Sequence, residues 1–404
     1  MTTSHAWAFR ASLRRNAFGW RGTRKAIERL NEAVGEIERV ARADSALAGD
    51  GAVLLLEKLS PAVNQIDSSS GALSNAANGV VEKMLPLIAA APVPRRVREK
   101  WLDRLFEAIQ EDDPPYIESL GEHWGALCAD RALASQWADR LLPLVRHVLA
   151  DRRSGTSAYS KSSTLCYSAL FHAGRFDDLL DVLALDPKPY WHDQQWAAKA
   201  LAARGDVDGA VNLMEGLRSR HAPDMALSAV AEQLLLDAGR VDEAYARYGI
   251  QATSANTHIA TFRAIVKRYP GIESHRILGD LIASTPGEEG KWFATAKTLK
   301  HYDLALGLAR RAPVDPKTLV RAARDHVKNQ PAFALEIALM ALHWMARGEG
   351  YELTGVDVSS ARDHAVAAAQ TLGTGADVGG RIASGVAGDG PAARWVRQCL
   401  GFDT

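Results

Sequence analysis

The sequence predicts an all-α protein, with an N-terminal helical domain over residues 1–150 and repeated helical hairpins over residues 158–404. Three observations carry this expectation. Apolar residues recur at steps of three and four, and no segment sustains the alternation of a half-buried strand. A glycine-centred corner motif returns at intervals of about thirty residues. The chain of 404 residues exceeds what one hydrophobic core usually serves, and its 47% hydrophobic and 24% charged residues exclude a disordered polymer.

The elements follow in order. From Thr23, the residues Ile27, Leu30, Val34, Ile37 and Val40 describe one face of a helix. Ala52 to Ile66 is apolar and helical, and Pro61 is expected to kink or break it. Asp67-Ser68-Ser69-Ser70-Gly71 is expected to supply N-cap oxygens for the next helix, which Pro92 and Pro94 stop. Trp101, Leu102, Leu105, Phe106 and Ile109 mark another apolar face, closed by Asp113-Pro114-Pro115. Asp130 caps a further helix carrying Leu133, Trp137, Leu141, Leu144 and Val148. Residues 151–157 lack apolar anchors and form the expected domain boundary.

Beyond that boundary the chain repeats itself. Ala173-Gly174-Arg175-Phe176-Asp177-Asp178-Leu179 returns as Arg204-Gly205-Asp206-Val207-Asp208-Gly209-Ala210 and as Ala238-Gly239-Arg240-Val241-Asp242-Glu243-Ala244. A weaker copy is Leu299-Lys300-His301-Tyr302-Asp303-Leu304-Ala305. Intervening breaks are expected at Tyr269-Pro270-Gly271 and near Asn329-Gln330-Pro331. In each copy an apolar helix is expected to end at a glycine, which takes the left-handed C-cap without a Cβ penalty. An apolar residue then plugs the corner, and acids sit in the first turn of the second helix, where its dipole favours them. A small residue, Ala210, Ala244 or Ala305, follows where helices approach closely.

Gly174-Arg175-Phe176-Asp177-Asp178-Leu179-Leu180, with Leu183 and Pro187 downstream, resembles the turn and second helix of a tetratricopeptide-type (TPR-like) repeat. The resemblance covers roughly residues 158–345 and implies an α-α superhelix, or solenoid, with atypical capping helices at the C-terminal end. Phe18-Gly19-Trp20-Arg21, the 66–71 segment and Ser284-Thr285-Pro286-Gly287-Glu288-Glu289-Gly290-Lys291-Trp292 together resemble an uncharacterised family of bacterial α-helical repeat proteins. That likeness implies an architecture and carries no catalytic residues with it.

Charge and motifs narrow the function classes. Forty-eight basic residues balance 48 acidic ones, so the whole chain has no bias toward nucleic acid or membrane. No apolar run reaches the length of a membrane span, and no secretory signal is read at the N-terminus; a cytoplasmic location is expected. Cys128, Cys166 and Cys399 lie too far apart for a disulfide scaffold or a thiolate metal site. Residues 1–43 hold nine basic and four acidic side chains, with Trp7, Phe9, Phe18 and Trp20 among them. Such a stripe can grip a phosphate backbone, but core rings beside a solvated arginine face are the favoured reading.

The segment 287–291 superficially resembles a phosphate loop but lacks the glycine spacing, the hydroxyl residue and a preceding strand. A capping box on Thr285, with Pro286 at the first helical position and Glu288 facing back, is expected instead. No metal-ligand spacing and no nucleophile elbow occurs, so no catalytic residue, no metal and no cofactor is assigned.

One constellation suggests a binding surface. First helices of stacked hairpins line the concave side, so their residues can be read together. They contribute Tyr159, Lys161, Trp191, His192, Gln195, Lys199, Arg263, Lys291 and Trp292, with His258 nearby. The expected function is a non-enzymatic scaffold that binds a protein or peptide partner in this groove. The alternative is a nucleic-acid-associated protein using the Arg-rich N-terminus and the same cations.

Overall fold

A computed structural model of the chain describes residues 5–67, 69–155, 159–187, 189–218 and 223–402. Among them are 22 α-helices, three short 3-10 helices and no strand, in two compact units, residues 1–240 and 241–404. The all-α expectation holds.

The first unit opens with α1 (Phe9–Ser12), α2 (Thr23–Ala41), α3 (Ser45–Val63), α4 (Ala72–Ala90) and α5 (Arg95–Gln110). A 3-10 turn at Glu118–His123 leads into α6 (Trp124–Leu127) and the long α7 (Arg131–Arg153). Then come α8 (Ser162–His172), α9 (Phe176–Leu183), α10 (Trp191–Ala203), α11 (Val207–Gly216) and α12 (Asp224–Asp237). The stripe on α2 is as expected: Leu30, Val34 and Ile37 are buried, joined by Ala26 and Ala33. Trp7, Phe9 and Phe18 are buried as well, so those rings are core anchors; Trp20 stays exposed.

Three local expectations need correction. Pro61 does not break α3, which continues to Val63; the proline forgoes its own amide bond, and α4 and α7 likewise run through Pro86 and Pro143. The N-cap of α4 is Gly71, in the left-handed region; of the expected oxygens that of Ser70 accepts from the Ala72 amide at 3.4 Å, whereas Asp67 accepts from the Ser69 amide in a local turn. Ser68 lies outside the described residues. The expected boundary at 151–157 falls within the first unit, whose buried core runs from Trp7 to Ala200 and carries straight across it. Packing of α7 on α8 supplies that continuity, and the compact division comes at Arg240/Val241. Residues 156–158 are outside the described range.

The expected corners are present. Gly174, Gly205 and Gly239 take φ of 73°, 95° and 75°, closing α8, α10 and α12. In each, the glycine amide bonds the carbonyl three residues back (Phe171, Ala202, Leu236), and the next amide bonds the carbonyl five back (Leu170, Leu201, Leu235), at 2.8–3.0 Å. Arginines lace successive corners together. Arg204 Nη1 meets Asp177 Oδ1 at 2.7 Å, and Arg240 Nη1 meets Asp208 Oδ1 at 2.7 Å. Arg175 reaches back in the same way to Asp139 on α7, at 2.5 Å.

The second unit contains α13 (Val241–Tyr248), α14 (His258–Arg268), α15 (Ser274–Ala283), α16 (Phe293–Thr298), α17 (Tyr302–Arg311) and α18 (Pro316–His326). It closes with α19 (Pro331–Ala346), α20 (Gly355–Thr371), α21 (Val378–Gly385) and α22 (Pro391–Leu400). The weak copy behaves as a true corner: Lys300 has φ 63°, and the same pair of bonds runs to Lys297 and Ala296. Breaks fall at Tyr269 and before Pro331, as expected. The corner also returns at Gly348, Gly373 and Gly401, which close α19, α20 and α22. Near the middle of α19, Glu336 pairs with Arg310 at 2.8 Å and with Arg381, and Trp344 Nε1 donates to the Ala309 carbonyl at 2.8 Å. These tie α17 and α21 to the apolar helix α19.

The capping box at Thr285 is not formed. Thr285 Oγ1 donates to the Ile282 carbonyl and accepts from Trp292 Nε1 at 3.1 Å, so the hydroxyl is engaged by side chain and preceding turn rather than by a following amide.

The two kinds of corner predict opposite effects. Gly239→Val forces a β-branched residue into positive φ in otherwise open space, and should cost about 1–3 kcal/mol. Lys300→Gly relieves the same strain and should gain about 0.5–1 kcal/mol. Thermal or denaturant unfolding of the two variants checks both signs.

Candidate functional site

A mixed polar and apolar concavity of the first unit is lined by the first helices of three consecutive hairpins. Helix α8 contributes Phe171 and His172; α10 contributes Gln195, Trp196 and Lys199; α12 contributes Ala229, Val230, Gln233, Leu234 and Asp237. Glu122 and His123, from the 3-10 turn before α6, complete a cavity of about 420 Å³.

Local chemistry explains why the turn stands there. Ser168, fully buried on α8, accepts from the Gly125 amide at 3.0 Å and donates to the Glu122 carbonyl at 2.9 Å. Any Cβ at position 125 would collide with the Ser168 backbone and the His172 ring, so glycine permits the close approach. The same Ser168 carbonyl accepts from His172 Nδ1 at 2.9 Å, which leaves Nε2 as the acceptor nitrogen of a neutral His172.

Charges at the site are coupled. Across the turn, His192 Nε2 donates to Glu122 Oε1 at 3.1 Å, and its Nδ1 lies 3.5 Å from Asp193 Oδ1. Asp193 and Glu122 together raise the His192 pKa to about 9 against the opposing effect of burial. The bond from His192 in turn holds the Glu122 carboxyl below its ordinary value. At neutral pH the pair is an imidazolium and a carboxylate, with both ring nitrogens facing carboxylates and no basic nitrogen to take a proton from a substrate. Burial lowers the pKa of His123 and of Lys199, the latter opposed by Glu122 and Asp237. Lys199 Nζ lies 4.2 Å from the Trp196 ring centroid and donates to Gln195 Oε1 at 3.3 Å.

The nine residues expected to line a groove are dispersed. Gln195 and Lys199 line the cavity, and His192 reaches it through Glu122. Trp191 is half-buried edge-on to His192. Tyr159 is exposed ahead of α8. Lys161 is a correction: its ammonium donates to the carbonyls of Ile109 (3.0 Å), Gln110 (3.4 Å) and Asp112, so it neutralises the end of α5 and is not presented to a ligand.

In the second unit, Arg263 is exposed on α14, and Lys291 pairs with Glu288 at 2.6 Å. Trp292 is another correction. It is only 3% exposed, bonded to Thr285 and set edge-on against His258 at 4.8 Å, because an indole buries well once its N–H has a partner.

Sequence reasoning missed Glu122, His123, Phe171, His172 and the α12 face. The spacing of Ala229, Gln233 and Asp237, four residues apart, was the available signal for the last of these. Among the described residues no cluster of His, Cys, Asp or Glu suits a metal ion, and no helix is long and apolar enough to cross a membrane. Burial pushes the Cys128 and Cys166 thiols up to about 12, so they are packed thiols at neutral pH.

Corner, hairpin and helix content define the class: this is an all-α helical-repeat protein. No protein-family profile and no curated protein matches the chain. Among solved structures it is similar to a circular tandem repeat protein with novel repeat topology and enhanced subunit contact surfaces. The identity is 15% over 93% of this chain and 92% of the other, with a TM-score of 0.20.

The His192 pair gives a pH signature. Its folded pKa lies above the unfolded value of 6.5, so its contribution is complete below about pH 6.5 and is lost as pH rises through about 9. The histidine side chain is 38% exposed, so screening reduces the effect to about 1 kcal/mol. Wild type should therefore lose that much more stability than His192→Gln between pH 6.5 and 9, measured by denaturant unfolding at a series of pH values.

Proposed function

We propose that the protein is a non-enzymatic helical-repeat recognition module that binds a protein or peptide segment in the cavity of its first unit. The observation that carries this reading is the convergence of α8, α10 and α12 on one space of about 420 Å³. That is the size of a pocket for one or two side chains. Its wall of Phe171, Trp196, Val230 and Leu234 offers apolar anchorage, while Lys199, Gln233 and Asp237 offer a few orienting polar groups. Helical repeats suit extended partners because successive hairpins present equivalent positions at regular spacing.

A non-enzymatic role agrees with the ion-paired state of His192 and with thiols held far from ionisation. The nucleic-acid alternative is weakened by the N-terminal stripe, since Trp7, Phe9 and Phe18 are withdrawn into the core and cannot stack on bases. The pocket itself sets Glu122 and Asp237 beside its one lysine, which does not favour a phosphate backbone. A reducing, intracellular setting is the companion proposal, resting on three unpaired cysteines, two of them buried.

The test is a displayed peptide library selected on the intact chain. Selected peptides should bind, and Ala229→Trp, which fills the cavity from α12, should weaken them at least about tenfold with folding unchanged by circular dichroism. Peptide binding indifferent to Ala229→Trp, or oligonucleotide binding that collapses with salt, overturns the reading.

A further inference from the structure

We infer that the cavity selects an uncharged side chain, and that an aromatic ring of the partner is the group it holds. The inference rests on the recognition reading above and names the chemistry of its ligand.

The charges around the cavity are matched within the protein. Glu122 is held by the His192 imidazolium at 3.1 Å. Toward the end of α12, Asp237 Oδ1 accepts from Gln233 Nε2 at 2.6 Å. Lys199 Nζ rests over the Trp196 ring at 4.2 Å and donates to Gln195 Oε1. Two carboxylates thus balance two cations, and each of the four is engaged. An arginine or a glutamate entering this space sheds its water and finds the opposite charges already taken, a cost that an uncharged group avoids. The site treats its own residues in the same way: burial lowers the pKa of both Lys199 and His123, against the attraction of Glu122.

What the cavity offers a ligand is apolar surface. Trp196 and Leu234 are buried behind the wall, but Phe171, Ala229 and Val230 are only half-buried and line the space. The Phe171 ring belongs to an aromatic cluster, with the Trp196, Phe176 and His172 centroids 5.9, 5.6 and 5.5 Å away. The planes meet at 58°, 53° and 80°, so each contact is tilted or edge-on. A further ring laid against Phe171 extends the arrangement that the fold already uses, and gains ring pairing that an aliphatic chain of similar area lacks. A volume of about 420 Å³ accommodates it.

The experiment uses four blocked single-residue probes, N-acetyl amides of phenylalanine, leucine, arginine and glutamate, titrated into the full-length protein and followed by ligand-observed NMR. The phenylalanine probe should bind most tightly, with arginine and glutamate at least about tenfold weaker. Phe171→Leu, which keeps the wall apolar and removes the ring, should weaken phenylalanine about fivefold and narrow its lead over leucine. His192→Gln, which removes the imidazolium opposite Glu122, should bring arginine up about fivefold relative to phenylalanine.

Arginine, glutamate or leucine bound as tightly as phenylalanine overturns the inference, as does a phenylalanine probe that fails to bind up to its solubility or is indifferent to Phe171→Leu. A ratio of arginine to phenylalanine binding unmoved by His192→Gln overturns it too, since internal pairing is then not what excludes charge. Ala229→Trp separates recognition as such from the choice of side chain. Library peptides blocked by it but lacking an aromatic residue sink the aromatic assignment and leave the recognition reading standing. Peptides that ignore it sink both.

Discussion

A helix that turns straight into its partner can satisfy its last carbonyls within two residues by placing one residue at positive φ. Everything distinctive in this chain follows from doing so repeatedly. At Gly174, Gly205 and Gly239 the same two amides close onto the same two carbonyls, so each hairpin leaves its first helix in the same direction. Equivalent exits place equivalent faces side by side, which is how α8, α10 and α12 come to share one cavity. The small residues that follow complete the geometry: Ala210, Ala244 and Ala305 are all fully buried.

The cavity needs a second constraint that the repeats do not supply. Its wall includes Glu122, held by a serine hydroxyl on α8 and by the His192 imidazolium on α10. Gly125 permits the backbone approach that makes the serine contact possible. The turn before α6 is therefore positioned by residues 43 to 70 positions further along the chain. Part of the region expected to form a separate N-terminal domain is thus a wall of the repeat-built site, which is consistent with a single core running from Trp7 to Ala200.

The corners were legible from sequence because glycine at positive φ is a local necessity, readable from a few residues. The α2 stripe and the Asp130 cap, whose Oδ1 accepts from the Leu133 amide at 2.8 Å, were legible for the same reason. The site was less so. Lysine and tryptophan carry both polar and apolar parts, and sequence does not say which part faces out. Lys161 went to three carbonyls of a helix end, and Trp292 found a threonine hydroxyl and was buried. Gln195 and Lys199 were found because they lie on the inward face of a first helix; Glu122 was not, because nothing near it in sequence announces a partner 70 residues away.

The arginine–aspartate contacts between corners have a further consequence. Arg175 pairs with Asp139, Arg204 with Asp177 and Arg240 with Asp208, each reaching into the helix pair before its own. Individually such exposed pairs add little to stability. The acceptors Asp177 and Asp208 each stand three residues after a corner glycine, whereas the arginine follows its glycine at 175 and 240 and precedes it at 204. Each turn is thus registered against its predecessor by charge as well as by packing, with an arginine whose place in the turn can shift so long as it reaches that acid.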